Sequence, residues 1–194
     1  MYTPVMSTPD RLIEATQELL WERGYVGTSP KAIQRLAGAG QGSMYHHFSG
    51  KSELALAAVT RTAEEMRRTA GLSLDGPGSA YERIAAYLLR ERDVLRGCPV
   101  GRLTMDPEVV ADEALRAPVD ATLAWLRGRI AAIVQEGVDG GEFVPGTDPA
   151  PVAAAVVATV QGGYVLARAS GSSAAFDRAV EGLLSLLAAR TRQI

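Results

Sequence analysis

The chain has 194 residues, of which 47% are apolar, and this is enough for a hydrophobic core in one large domain or two smaller ones. Its 20 basic and 22 acidic side chains give a net charge of −2, and residues 1–70 carry 8 Lys and Arg against 7 Asp and Glu, so charge alone gives little indication of nucleic-acid binding. One cysteine excludes an intrachain disulfide framework, and no apolar run approaches the ~18–20 residues of a membrane span, so we expect a cytoplasmic protein without a membrane contact.

The first predicted helix begins at residues 8–10, where a capping threonine, a proline and an acidic residue follow one another. Apolar residues then recur at helical spacing from Leu12 to Leu20, and Gly24 ends the helix. We expect this helix to support the segment that follows it.

Residues 28–54 are predicted to form two short helices around a tight turn and the start of a third helix. Ser29 is placed to cap the first of them, with Pro30 at its first position. Gly38 can adopt the left-handed conformation that ends this helix, and the second helix runs from about Gln41 to Phe48. This arrangement is typical of a helix-turn-helix, whose second helix enters the DNA major groove.

The rest of the chain shows helical periodicity and no sustained alternation of apolar and polar residues, so we expect an all-α protein with about nine helices. The further predictions are a long helix from Ser49 to about Ala70, one from Tyr81 to near Arg96, a short one ending at Met105, one from Pro107 with a kink or restart at Pro118, one over Val119–Gly137, one from Pro149 to about Ala169, and a last one over Phe176–Leu187.

The helix-turn-helix segment carries a recognisable series of residues. In order and without a gap it contains Gly24-Tyr25, Thr28-Ser29, Ile33, Ala37-Gly38, Gly42-Ser43, Tyr45-His46-His47-Phe48, Lys51 and Glu53-Leu54. This series resembles the N-terminal signature of TetR-family transcriptional regulators. The resemblance implies a three-helix helix-turn-helix DNA-binding domain in residues 1–52 and a C-terminal effector-binding and dimerisation domain in residues 53–194.

The chain departs from the family pattern in and just before the turn, at Gln34, Ala39, Gly40 and Gln41. Members of the family usually carry an Ile-Ala…Ala-Gly-Val-Ser-Lys run there. Loss of the serine removes a helix cap, and loss of the lysine removes a phosphate contact. The departures therefore predict a lower DNA affinity without changing the fold.

The partner predicted for this domain is double-stranded DNA with a palindromic operator. The resemblance assigns phosphate contacts to Tyr45, His47 and Lys51, and Gly42 allows the backbone to approach the DNA closely. The set is completed by Gln41, Ser43 and His46 for bases, by Thr28 and Ser29 for phosphates, and by Lys31 as a further DNA-binding residue.

The sequence gives no indication of a metal site, a cofactor or an enzyme. His46 and His47 are adjacent, and neighbouring side chains on a helix point about 100° apart, so they cannot chelate one ion together. No nucleophile is paired with a base, and no glycine-rich loop is suited to cradle phosphates.

Cys98 lies in the run Gly97-Cys98-Pro99-Val100-Gly101, which resembles the LmrA/YxaF-like branch of the TetR family. Two interpretations stay open for it. The thiol either packs as a small buried side chain at a helix junction, or it senses oxidants.

The last two long helices are predicted to form a homodimer interface. The helix from Pro149 is rich in alanine and glycine, which permit close approach, and the last helix has a wide Leu and Val face. In TetR-like proteins these two helices pair with their mates in a four-helix interface, and a two-fold axis also suits a palindromic operator.

The resemblance further implies a small-molecule effector, expected to be hydrophobic or aromatic. The candidate pocket residues are Met66, Tyr87, Leu88, Leu103, Met105, Trp125, Leu126 and Tyr164. The predicted function is a transcriptional regulator, a repressor released by that effector through the long helix after Ser49. The alternative is a regulator switched by oxidation of Cys98.

Overall fold

The computed structural model describes residues 6–191, and over that range it contains nine α-helices, a short 3-10 helix and no strand beyond an isolated bridge between Phe143 and Thr191. The all-α prediction is confirmed. The helices are α1 (Thr8–Arg23), α2 (Pro30–Ala37), α3 (Gln41–His47), α4 (Lys51–Leu74), α5 (Ala80–Leu89), the 3-10 helix (Gly101–Met105), α6 (Pro107–Ala111), α7 (Glu113–Asp139), α8 (Pro149–Ser170) and α9 (Ala174–Ala188).

The cap of α1 and the start of α7 differ from the sequence prediction. Ser7 caps α1, because its hydroxyl accepts a hydrogen bond from the amide of Asp10. A carboxylate oxygen of Asp112 accepts from the amide of Ala114 at 2.9 Å, so α7 begins at Glu113. The helix then runs through Pro118, which is five residues later than its first residue. Of the kink or restart predicted at Pro118, the restart is therefore wrong.

The ends of α4 and α5 also differ from the prediction. Helix α4 continues through Gly71 to Leu74, whose side chain is fully buried and compensates for the cost of ~1 kcal/mol that a helical glycine carries. Helix α5 ends at Leu89, well before Arg96. The guanidinium group of Arg92 donates hydrogen bonds to the carbonyl oxygens of Tyr87 and Leu88, and this caps the last turn of α5.

The chain forms two compact units. The first comprises the residues up to Glu64 together with Pro99–Asp120, so the predicted boundary between residues 52 and 53 falls inside it. Its core brings one apolar face from each of the first four helices together, because these faces follow the helical period. The buried members are Leu12, Ala15, Leu19, Ile33, Ala37, Met44 and Leu54.

The second unit comprises Glu65–Cys98 and the residues from Ala121 onward. Helices α8 and α9 form a close hairpin in it, since a methyl group added at Gly163 would lie 2.7 Å from a ring carbon of Phe176. Glu142 caps the N-terminus of α5. Its two carboxylate oxygens accept hydrogen bonds from the amides of Ala80 and Tyr81, each at 2.8 Å.

Helix α8 is the one described helix that is long and apolar enough, by composition, to cross a membrane. It has 22 residues, and Gln161 and Arg168 interrupt its apolar sequence. Its residues Val156, Val160 and Ala167 are buried within the second unit, as in the core helix of a globular domain.

Candidate nucleic-acid interface

The turn between α2 and α3 has the geometry that the sequence predicts. The hydroxyl of Ser29 accepts a hydrogen bond from the amide of Ala32 at 3.2 Å and caps α2. Gly38 ends α2 in the left-handed conformation, with φ 59° and ψ 36°. Gly40 occupies the cap position of α3 and offers no side chain to its free amides, so the missing helix cap is confirmed.

Helix α3 has one buried face and one exposed face. Met44 is fully buried in the core of the first unit, and Tyr45, His46 and His47 are exposed on the other side. The side-chain amide of Gln34 donates to the sulfur of Met44 at 3.4 Å, so this departure from the family pattern ties α2 to α3. The exposed ring and hydroxyl groups are of the kind that contact phosphates and bases.

Most of the predicted DNA-binding residues share this exposed surface. Ser29, Lys31, Gln41 and Gly42 are exposed together with the three α3 residues above, and Ser43 is half-buried. The oxygen of the Ser29 hydroxyl accepts a hydrogen bond from the amide of Ala32, and a serine hydroxyl can in addition donate its own hydrogen. Their DNA contacts stay predictions.

Thr28 does not belong to this surface, and its predicted phosphate contact is corrected. Its side chain is only 2% exposed, and its hydroxyl donates to the carbonyl oxygen of Gly24 at 2.7 Å. The amide of Thr28 donates to the carbonyl oxygen of Tyr25. Both donors are therefore used within the turn that precedes α2.

Lys51 is positioned by an aromatic contact within the protein. Its ammonium nitrogen lies 3.8 Å from the centre of the Tyr25 ring, within range of a cation–π interaction. Burial of Tyr25 raises the pKa of its hydroxyl, and a hydrogen bond with Ser52 lowers it in part. The ring thus fixes a positive charge at the start of α4.

The sequence prediction missed Arg35. It is exposed one helical turn after Lys31 on α2, and both side chains border an open groove of about 560 Å³. The remaining lining residues are Ser29, Ala32, Gln34, Gly38 and Ala39. Two basic residues at i and i+4 lie on the same helix face, so the spacing itself was the available signal.

The prediction also missed a contact of Asp106 in the first unit. Its side chain is 7% exposed and caps α6, as its place before Pro107 predicts. In addition, its carboxylate accepts a hydrogen bond from the amide of Val26, which lies in the turn between α1 and α2. Nothing in the local sequence indicates this second bond.

The eight candidate pocket residues are divided between the two units. Tyr87, Leu88, Leu126 and Tyr164 are buried in the second unit, where Met66 and Trp125 are half-buried. Leu103 and Met105 belong to the first unit. Met105 is 85% exposed, which contradicts its prediction as a residue that lines the effector pocket.

Aromatic and basic side chains meet in the second unit. The guanidinium carbon of Arg92 lies 5.2 Å from the Tyr87 ring centre and 5.5 Å from that of Phe176. The Phe176 ring is 5.1 Å from that of Tyr164, and burial raises the pKa of Tyr164 to about 12. Cys98 is 6% exposed in the same unit.

The described part of the chain holds no group of three His, Cys, Asp or Glu side chains able to bind a metal ion. The rings of His46 and His47 stand edge to face, with their centres 4.9 Å apart, on the exposed side of α3. Their position suits contacts to another molecule.

Two family profiles match the sequence. The profile "Bacterial regulatory proteins, tetR family" matches residues 12–58, which include most of α1 and all of α2 and α3. The profile "Tetracyclin repressor-like, C-terminal domain" matches residues 79–183, more than half of the chain. The chain belongs to the TetR family. It is therefore a DNA-binding transcriptional regulator of the helix-turn-helix type.

Curated relatives of this TetR-family chain are distant. An uncharacterised helix-turn-helix regulator from the lacX 3' region of Lactococcus lactis is 26% identical over 82% of the chain and 83% of its own length. LmrA of Bacillus subtilis is 28% identical over 60% and 65%, respectively. The repressor NemR of Escherichia coli is 27% identical over 70% and 69%.

Solved structures share the fold over nearly the whole chain. A TetR regulator from Chloroflexus aurantiacus has a TM-score of 0.83 at 28% identity, covering 96% of this chain and 97% of that one. A cysteine mutant of the TetR regulator CifR, solved with 26-base-pair operator DNA, has a TM-score of 0.78 at 24% identity, covering 95% and 98%.

Proposed function

We propose that this TetR-family regulator is a homodimeric repressor that reads a palindromic operator with α3 of each protomer. The observation that carries the proposal is the two-faced α3, with Met44 fully buried and Tyr45, His46 and His47 exposed. The groove that Lys31 and Arg35 border on the preceding helix adds positive charge. A cytoplasmic location belongs to the same proposal.

The first experiment is a fluorescence-anisotropy titration. A labelled DNA fragment from upstream of the protein's own gene is compared with a scrambled fragment at fixed, moderate salt, because salt changes every phosphate contact. Selective binding at two protomers or a multiple per site is expected. If both fragments bind weakly and equally, selection from random DNA follows. Failure to enrich any sequence would refute operator recognition.

The proposed dimer interface is the exposed face shared by α8 and α9. Val165, Leu166 and Leu186 are 67%, 54% and 70% exposed, and nothing lies within 4 Å of a methyl group added at Gly162 or Gly182. Large apolar side chains beside open glycines favour close packing against another helix pair.

The interface is tested by Leu166→Glu, with Leu72→Glu as the matched control. Leu72 is 78% exposed and lies on α4, so it belongs to neither helix of the proposed interface. We expect the first variant to sediment as a monomer and to lose cooperative operator binding, since each half-site then binds alone. A dimer in both variants would contradict the proposed interface.

The proposed effector is a small molecule with an apolar or aromatic body that binds near Tyr87 and Tyr164. The Nε atoms of Arg90 and Arg92 are buried without a hydrogen-bond partner within the described residues, which favours an effector that also carries an acceptor group. Compounds that abolish the anisotropy signal would identify it. A ligand that binds without changing DNA affinity would refute release by an effector.

The alternative is a thiol switch at Cys98. The NemR relative supports it weakly, and its crystal structure, 21% identical, is of a reduced form. The run of residues 97–101 around Cys98 also supports the proposal that the chain belongs to the LmrA-like branch. LmrA itself is 28% identical to the chain. The buried thiol favours a packing role. Only the alternative predicts that Cys98→Ser abolishes a loss of DNA binding caused by peroxide.

A further inference from the structure

The turn between α1 and α2 is held by a carboxylate that lies 80 residues further along the chain. Oδ2 of Asp106 accepts a hydrogen bond from the amide of Val26 at 2.9 Å. Oδ1 of the same side chain accepts from the amides of Glu108 at 3.1 Å and Val109 at 3.4 Å. Because one buried carboxylate makes all these bonds, the cap of α6 and the position of Val26 depend on the same atoms.

Gly24 is shaped for this contact. Its φ of +76° lies in the region that favours glycine, and a methyl group added there would lie 2.9 Å from Oδ2 of Asp106. Its carbonyl oxygen also accepts a hydrogen bond from the hydroxyl of Thr28 at 2.7 Å. The turn from Gly24 to Thr28 is therefore packed against Asp106 on one side and closed by its own hydrogen bonds on the other.

The same turn determines where the DNA-facing helices begin. Tyr25 contacts the start of α4, because the ammonium nitrogen of Lys51 lies 3.8 Å from the centre of its ring. Ser29, the cap of α2, follows the turn directly. Three residues then separate α2 from α3. A displacement of the turn is thus passed to α3 over a short, well-packed path.

We propose that Asp106 is a positioning residue for DNA recognition. Its carboxylate fixes the turn at Val26 and so the orientation of α2 and α3, without touching DNA. The segment Gly101–Ala111 thereby controls operator affinity. This inference rests on the proposed DNA-reading function of α3.

The test compares Asp106→Asn with Asp148→Asn. Both aspartates precede a proline and cap a helix, but the carboxylate of Asp148 accepts from the amide of Ala150 and caps α8. Asparagine is as good a cap as aspartate, but its single carbonyl oxygen cannot serve both α6 and Val26. Asp106→Ser, which keeps a capping hydroxyl too short for Val26, is a second variant in case asparagine disturbs folding.

We expect both Asp106 variants to bind the operator about ten-fold more weakly. The dependence of binding on salt should stay unchanged, because no phosphate contact is removed. Hydrogen exchange should accelerate in residues 25–48 and not in α8. The Asp148 variant should bind DNA like the unsubstituted protein.

Unchanged affinity in folded Asp106 variants would overturn the proposal. Exchange that accelerates equally throughout the chain would also overturn it, since the role of Asp106 would then be general stability. If the unsubstituted protein binds no selected DNA, the DNA-reading function fails instead. In that case, hydrogen exchange in residues 25–48 of the Asp106 variants still tests whether the Asp106 carboxylate holds the turn at Val26.

Discussion

Replacing Gly42 with alanine should make the protein more stable and its operator complex weaker. Gly42 is the second residue of the seven-residue helix α3, it is exposed, and a methyl group added there meets no other atom within 4 Å. Its backbone is not among the glycines with positive φ. Alanine therefore brings its helix propensity, about 0.5–1 kcal/mol, without a clash.

The expected stabilisation corresponds to a rise in Tm of roughly 1–4 °C for a chain of this size. On DNA, the added methyl group would occupy the space in which the backbone of α3 approaches the groove. A loss of about 1–2 kcal/mol in binding, or roughly five- to thirty-fold in Kd, is expected if this space is filled.

Gly128→Ala is the matched control. Gly128 lies in the middle of α7, is exposed, and also has open space around an added methyl group. Thermal unfolding and anisotropy titrations on both variants separate the two effects. The control should gain stability with unchanged affinity. If Gly42→Ala gains stability and binds the operator as tightly as the unsubstituted protein, the close approach at Gly42 is refuted.

Three further changes test the basic groove, the packing and the ion pairs. Arg35→Ala should weaken binding to all DNA sequences and lower the slope of log K against log salt by about one, as titrations at several salt concentrations would show. Gly137→Ala should lower the unfolding free energy by about 1–3 kcal/mol in denaturant titrations, because its methyl group would lie 2.6 Å from the ring of Phe143. A hydrogen bond from Arg83 holds the pKa of Glu136 below its usual value. The contact between Glu136 and Arg83 therefore stabilises the fold fully above the ordinary carboxyl pKa of about 4.3. This stabilisation is lost as the pH falls through the lowered pKa. Glu136→Gln should accordingly reduce the pH dependence of unfolding below about pH 5.

The helix-turn-helix was predictable because its signals are local. Ser29 and Pro30 start α2, Gly38 ends it, and each acts through the conformation of its own backbone or that of its neighbours. The exposed face of α3 followed from the burial of Met44 by helical periodicity. These features needed no knowledge of distant residues.

The end of α5 was not predictable from periodicity. Leu95 continues the apolar pattern of α5, but it is 48% exposed and lies outside the helix. The helix ends earlier because the guanidinium group of Arg92 folds back onto carbonyl oxygens of the last turn. A side chain that satisfies the backbone leaves no trace in the spacing of apolar residues.

Thr28 and Asp106 illustrate a second limit of the sequence. The hydroxyl of Thr28 belongs to a family signature and was assigned to phosphate, but the fold of the preceding turn buries it. The bond between Asp106 and Val26 joins residues 80 positions apart. Contacts at that separation depend on tertiary structure and not on local propensity.

The first compact unit is built from two separated segments of the chain, and this affects the design of hybrid regulators. A natural place to join two regulators is the end of the DNA-binding profile at residue 58, with the new specificity grafted as one N-terminal block. Such a graft would separate the turn at Val26 from Asp106, which lies among residues 99–120 of the same unit. A donor block should therefore be transplanted with its counterpart of the Gly101–Ala111 segment, so that the incoming turn keeps the partner with which it folds.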